Sequence, residues 1–85
     1  MYTLRWARDA AAFYDRLPAN QQQRMDAVML RLATDPSTTP HVKRLSGDLA
    51  GLRSLRVGSW RIIFEVEVSG YIDLLVFDDR KDAYR

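Results

Sequence analysis

Cysteine is absent from these 85 residues, and histidine occurs once, at His41. Without cysteine there is no disulfide framework, no thiolate nucleophile and no Cys-based zinc site. One histidine excludes a His-rich metal site and argues against a Ser-His-Asp triad. No run approaches the ~18–20 apolar residues of a membrane span. The start, Met1 to Trp6, has neither the basic opening nor the apolar core of a signal peptide, so a cytoplasmic address away from membranes is expected. There is no P-loop, no Gly-x-Gly-x-x-Gly turn and no cluster with metal-ligand spacing, so neither cofactor nor metal is expected. Asp9 and Asp15 lie six apart and do not share a helix face, so they form no carboxylate pair.

What is present suits one small globular domain spanning residues 1–85. The chain is 47% hydrophobic and 28% charged, too apolar for intrinsic disorder. A domain this short buries only ~60% of its unfolded surface, which leaves room for a partner that completes the fold.

The net charge of +2 says less than its distribution. Lys43, Arg44, Arg53, Arg56 and Arg61 precede Phe64 with only Asp48 among them. Glu65, Glu67, Asp73, Asp78, Asp79 and Asp82 follow, with only Arg80 and Lys81 to offset them. A basic block of this kind is either a solvated face or a surface that meets phosphate.

The hydrophobic period changes once along the chain. Tyr2 to Trp6 alternates and reads as a first strand. Ala10, Phe13, Tyr14 and Leu17 then follow the i, i+3, i+4, i+7 stripe of an amphipathic helix. Pro18 stops that helix, and Met25, Val28, Met29 and Leu32 repeat the stripe, giving a two-helix hairpin. The methionines read as flexible core filler. Asp35 to Pro40 is a loop by composition. Beyond it the period is two. Leu52–Val57, Trp60–Val66 and Tyr71–Phe77 read as three strands, joined at Gly58-Ser59 by a type II′ turn and then at Ser69-Gly70. The expected fold class is α+β: an N-terminal strand, a two-helix hairpin, then an antiparallel three-stranded meander with the helices packed on one face of the sheet.

The two-residue turn fixes a register: Val57 faces Trp60, Arg56 faces Arg61, Leu55 faces Ile62 and Ser54 faces Ile63. Alternation sends Leu55, Val57, Trp60, Ile62 and Phe64 toward the helices. Arg53 shares that side, so it must lie near the sheet end, snorkel, or mark a bulge. The other side carries Ser54, Arg56, Arg61 and Ile63. Like charges directly opposite each other destabilise a strand pair. An anion held between two guanidinium forks offsets that repulsion, and so does an acid such as Glu65 or one from the last strand. The closing Asp78 to Arg85 stretch holds cations, carboxylates and Tyr84, a ring able to stack on a base.

Three segments resemble the RelE/ParE superfamily, the toxins of bacterial type II toxin–antitoxin systems. They are Val42-Lys43-Arg44-Leu45-Ser46-Gly47, LRSLRVGSWRIIF over Leu52–Phe64, and DRKDAYR from Asp79 to Arg85. The resemblance covers essentially the whole chain and agrees with the expected order of elements. RelE-like members cut messenger RNA in the ribosomal A site, without a metal, by attack of the 2′-hydroxyl on the neighbouring phosphorus. The resemblance implies that Arg61 clamps the scissile phosphate. It implies that Arg80 stabilises charge or protonates the leaving oxygen, and that Tyr84 stacks or hydrogen-bonds near the cut. Arg56 holds the RNA backbone, Lys43 and Arg44 meet ribosomal RNA phosphates, and Arg53 and Lys81 belong to the same RNA-binding set. The implied partners are a cognate antitoxin and the ribosome with its message, with operator DNA reached only through the antitoxin complex.

The chain departs from the RelE pattern at three points. Leu52 and Ser54 stand where RelE carries strand lysines, and Asp79 stands where many relatives carry histidine. No residue matches the family's general base; Asp79 and Glu65 are the acids at hand. Two alternatives follow: a ParE-like inhibitor of DNA gyrase, or a catalytically degenerate toxin that survives as an antitoxin-binding, operator-regulating module.

Overall fold

The structure is a computed structural model that describes residues 1–79. The first strand, β1, runs Thr3–Trp6. Helices α1 (Arg8–Asp15) and α2 (Ala19–Thr34) follow, with Pro18 as the residue before the first turn of α2. Strands β2 (Val42–Arg44), β3 (Arg53–Val57), β4 (Trp60–Val66) and β5 (Tyr71–Asp79) complete the order. The expected meander is β3, β4 and β5, and two strands flank it. The sheet order is β1-β5-β4-β3-β2, with β1 parallel to β5 and the other neighbours antiparallel.

The fold class is the expected one, and β2 is the element that periodicity did not reveal. Three residues are too few to display a period, and two of them, Lys43 and Arg44, are exposed cations. Charged residues on a short edge strand also discourage edge-to-edge pairing.

The helices cover one face of the sheet. Ala10 of α1 and Met25, Met29 and Leu32 of α2 are buried against Leu55, Val57, Ile62, Phe64, Ile72, Leu74 and Phe77. Met25 and Met29 are therefore core filler, as expected. Fully burying a side chain such as Phe64 or Leu32 contributes about 1.5–3 kcal/mol. Aromatic rings close the end of this core near the β3–β4 turn. Phe13 meets Phe77 at 5.6 Å and Trp60 at 6.2 Å, and Trp6 meets Phe77 at 5.4 Å and Tyr14 at 5.2 Å.

The β3–β4 register is the one the two-residue turn dictates, with Val57 opposite Trp60 and Arg56 opposite Arg61. Gly58 has φ +60° and Ser59 does not have a positive φ, which fits a type II′ turn. Gly58 is also approached by Arg24: a Cβ there would sit 3.3 Å from its Nη1.

Between β4 and β5 the register slips at Ile63/Phe64, so that Ile63 faces Val76 while Phe64 faces Leu74. Leu75 is the extra residue of a β-bulge. Strict alternation would align Phe77 with Asp73. The bulge instead sends Phe77 into the core and turns Asp78 to the face that carries Arg61.

Candidate nucleic-acid interface

The face of the sheet turned away from the helices has two ends of opposite character. Near the β3–β4 turn it carries Arg56 and Arg61, opposite each other, with Asp78 the β5 partner of Arg61. Ser54 and Ile63 come next, with Lys43 on β2 beside Ser54 and Val76 on β5 beside Ile63. Glu65 and Asp73 lie opposite each other farther along, with Arg5 on β1 beside Asp73.

At the acidic end Arg5 is the organising charge. Its Nε donates to Asp73 Oδ1 at 2.6 Å, one terminal nitrogen reaches Asp73 Oδ2 at 3.1 Å, and the same nitrogen pairs with Glu67. The guanidinium also lies over the Tyr71 ring, 4.1 Å from its centroid. The hydrogen bond from Arg5 holds the Asp73 carboxyl below the usual carboxylate range. Glu67 is pushed upward by its hydrogen bond to Asp73, with desolvation adding to the effect. Carboxylate oxygens of Glu65, Glu67 and Asp73 lie within 4.8 Å of one another. The Arg5 pairs with Glu67 and Asp73 make this cluster a clamp that fixes β1 onto β5. Part of the acidic block in the sequence thus serves an arginine more than 60 residues away.

The other end is different. Arg56 is exposed, and Arg61 is partly covered. The Nε of Arg61 is buried and has no hydrogen-bond partner among the described residues. Asp78 is in register with Arg61 but leaves that donor unsatisfied. A buried, unpaired donor on a guanidinium is costly, and an incoming anion relieves the cost.

The five basic residues between Lys43 and Phe64 separate by strand parity. Lys43 shares the open face with Arg56 and Arg61. Arg44 and Arg53 pair with each other in register and line a shallow depression with Pro36 and Ser37, on the helix side at the sheet corner. Arg53 is the first residue of β3, so of the three readings for it, the sheet-end position holds. Glu65 lies four residues from Arg61, roughly 13 Å along the strand, on the acidic end. Asp79 is in register with Trp60. Arg80, Lys81 and Tyr84 lie outside the described residues. Asp78 is the acid that sequence reasoning did not single out, because strict alternation hides it until the Leu75 bulge is known.

A mixed sheet thus carries a two-helix layer on one face and an arginine pair on the other. The chain matches the family model for the ParE toxin of the type II toxin–antitoxin system, parDE, over residues 4–84. It belongs to that family, within the RelE/ParE superfamily that its motifs resemble. Solved structures agree in fold. The toxin–antitoxin complex RelBE2 from Mycobacterium tuberculosis matches at 25% identity, over 93% of this chain and 98% of that one, with a TM-score of 0.78. The archaeal RelE–RelB complex from Pyrococcus horikoshii matches at 22% identity, over 93% and 94%, with a TM-score of 0.79. The YoeB/ParE toxin from Agrobacterium tumefaciens matches at 21% identity, over 91% and 97%, with a TM-score of 0.73. No curated protein matches the sequence.

Proposed function

We propose that this toxin is a ribosome-dependent endoribonuclease, which cuts messenger RNA in the A site and so inhibits translation. The observation that carries this reading is the opposed Arg56/Arg61 pair, with the Arg61 Nε buried and without an acceptor among the described residues. Two guanidinium forks on one face suit the non-bridging oxygens of a phosphodiester. In this reading the 2′-hydroxyl oxygen attacks the adjacent phosphorus, a 2′,3′-cyclic phosphate forms and the 5′-oxygen departs with a proton. Arg61 stabilises the charge that develops on the phosphorane, and Arg56 holds the backbone. Asp78, brought to the same face by the bulge, takes the hydroxyl proton. Arg80 and Tyr84 act on the leaving oxygen and the neighbouring base, by resemblance. Lys43 meets message phosphates on the open face; Arg44 and Arg53, turned to the other side at the sheet corner, are left for ribosomal RNA, and Lys81 joins the RNA-binding set by resemblance. No metal or cofactor takes part.

The partner that restrains the activity is a cognate antitoxin. The similar structures from Mycobacterium tuberculosis and Pyrococcus horikoshii are toxin–antitoxin complexes. Operator DNA is reached through that complex. No described helix is long and apolar enough to cross a membrane, which is compatible with work in the cytoplasm.

A second reading is gyrase inhibition, and the observation in its favour is Ser54. It is buried on the open face beside Ile63, where RelE carries a lysine. Mapping transcript 5′-ends after brief induction, beside Arg61→Ala, separates the readings. Cuts inside codons of translated messages, lost in Arg61→Ala, are expected. Growth arrest with intact transcripts and a DNA-damage response would establish the gyrase reading instead. No arrest would leave an antitoxin-binding module.

A further inference from the structure

Between the two charged ends of the open face, Ser54 on β3, Ile63 on β4 and Val76 on β5 form an uncharged row of register partners. The row lies two residues from Arg56 and Arg61, roughly 7 Å along the strands. Two residues farther along β4 the face turns acidic at Glu65, with Asp73 opposite. The bulge decides which side chain stands beside Ile63. Continuing the register from Phe64 and Leu74 would set Leu75 there, and the extra residue sets Val76 there instead. Ile63 is 8% exposed and Val76 is 39% exposed. Val76 thus presents the accessible part of an apolar step, and Ile63 is its covered part. A single exposed valine is ordinary on a protein surface; the place of this one, between a cationic row and an acidic row, is what bears on function.

We infer that Ile63 and Val76 seat the face of the nucleobase next to the phosphate held by Arg56 and Arg61. The inference rests on the phosphate-clamp reading above. Glu65, Glu67 and Asp73 outnumber Arg5 at the far end, so the next phosphate is repelled there and the RNA backbone does not continue along the strands. The nearest cation on the other side is Lys43, beside Ser54 on β2, and the backbone leaves toward it. A base, not a phosphate, then covers the apolar step. Aliphatic side chains meet a base through its face and offer its edge no donor or acceptor, so the seat tolerates any base. It makes the open face a site for a nucleotide, where the arginines alone would take any phosphate.

The test measures fluorescence anisotropy with the full chain, made by cell-free synthesis, and two labelled probes. One is hexauridylate; the other is a hexamer of 1-deoxyribose phosphate, the same backbone without bases. The parent is expected to bind hexauridylate roughly fivefold more tightly than the base-free hexamer. Val76→Tyr, a strand-forming residue at an exposed position, adds a ring to the step and is expected to tighten hexauridylate binding roughly fivefold or more. Val76→Thr keeps the shape, makes the step polar and is expected to weaken it two- to threefold. Both variants are expected to keep the parent's far-UV circular dichroism and its affinity for the base-free hexamer. Hexacytidylate is expected to bind within about twofold of hexauridylate, as a face-only seat allows. Equal binding of the two hexamers by the parent, or a Val76→Tyr variant that tightens neither or both alike, would overturn the seat. A tenfold preference for one pyrimidine would overturn its tolerance alone. Arg61→Ala separates the two readings, since it is expected to weaken both probes at least tenfold. That loss without any effect of the bases would leave the clamp standing and overturn the seat. A base-free hexamer bound equally by the parent and Arg61→Ala would overturn the clamp, and the seat beside it as well.

Discussion

Asp78 is the register partner of Arg61 across β4 and β5, yet the buried Nε of Arg61 donates to no acceptor among the described residues. A protein that places a carboxylate beside a guanidinium and still leaves a donor unsatisfied gives up stability at that point. A buried, unsatisfied polar group costs about 1–3 kcal/mol. Sites held at such a cost are where function is expected to outweigh folding.

Arg61→Met tests that trade. The substitution keeps an unbranched apolar stem and removes the orphaned donor. Its urea-unfolding stability is expected to equal the parent's or exceed it by up to about 1 kcal/mol. Growth inhibition is expected to be lost. A clear loss of stability would show that the protein itself holds this guanidinium, and the anion-site reading would fail.

The β3–β4 turn depends on one glycine for two reasons. Gly58 has φ +60°, and a Cβ there would sit 3.3 Å from Arg24 Nη1, close enough that the guanidinium must shift. Gly58→Ala is expected to cost about 1–2 kcal/mol, from the left-handed backbone and the displaced guanidinium. Urea unfolding of Gly58→Ala, alone and with Arg24→Ala, measures both parts. Relief of some of the loss in the double variant is the expected result; full additivity would mean that the contact with Arg24 does not matter.

The Arg5 clamp has a pH signature. Arg5 lowers the Asp73 value in the folded chain, so the stability Asp73 contributes is present above the unfolded carboxylate value of ~3.9. It is lost as pH falls through the lower, folded value. Glu67 has the opposite sign: its value is raised, so its contribution weakens as pH rises through the folded value. Asp73→Asn is expected to be less stable than the parent at pH 7, with the gap closing in acid below the usual carboxylate range. Urea midpoints of both proteins from pH 7 to pH 2 follow the gap. A constant gap across that range would rule out the ion pair as its source.

The parts of the fold that were legible in the sequence are those set by local chemistry. Gly58-Ser59 fixed the turn, the turn fixed the register, and the register put Arg56 opposite Arg61. The helical stripes through Ala10 and Met25 likewise need only neighbours in sequence. What escaped depends on distant partners. The Arg5–Asp73 pair joins strands 68 residues apart. Asp78 reaches the open face only through the Leu75 bulge, which no turn residue announces.

Lys43 and Arg44 show how a three-residue strand changes a functional reading. They are adjacent and equally basic in sequence, and β2 points them in opposite directions. Lys43 pairs with Ser54 on the face of Arg56 and Arg61, and Arg44 pairs with Arg53 toward Pro36 and Ser37. If RNA lies on the open face, Lys43 meets a phosphate and Arg44 does not. Lys43→Ala is then expected to weaken hexauridylate binding by roughly three- to tenfold and to lower the salt slope by about 0.7, one single-strand phosphate contact. Arg44→Ala is expected to stay within about twofold of the parent, as a rim charge does. Fluorescence anisotropy over a salt series measures both. Equal losses would mean that the RNA wraps around the β2 edge, and a loss in Arg44→Ala alone would move the interface to the sheet corner.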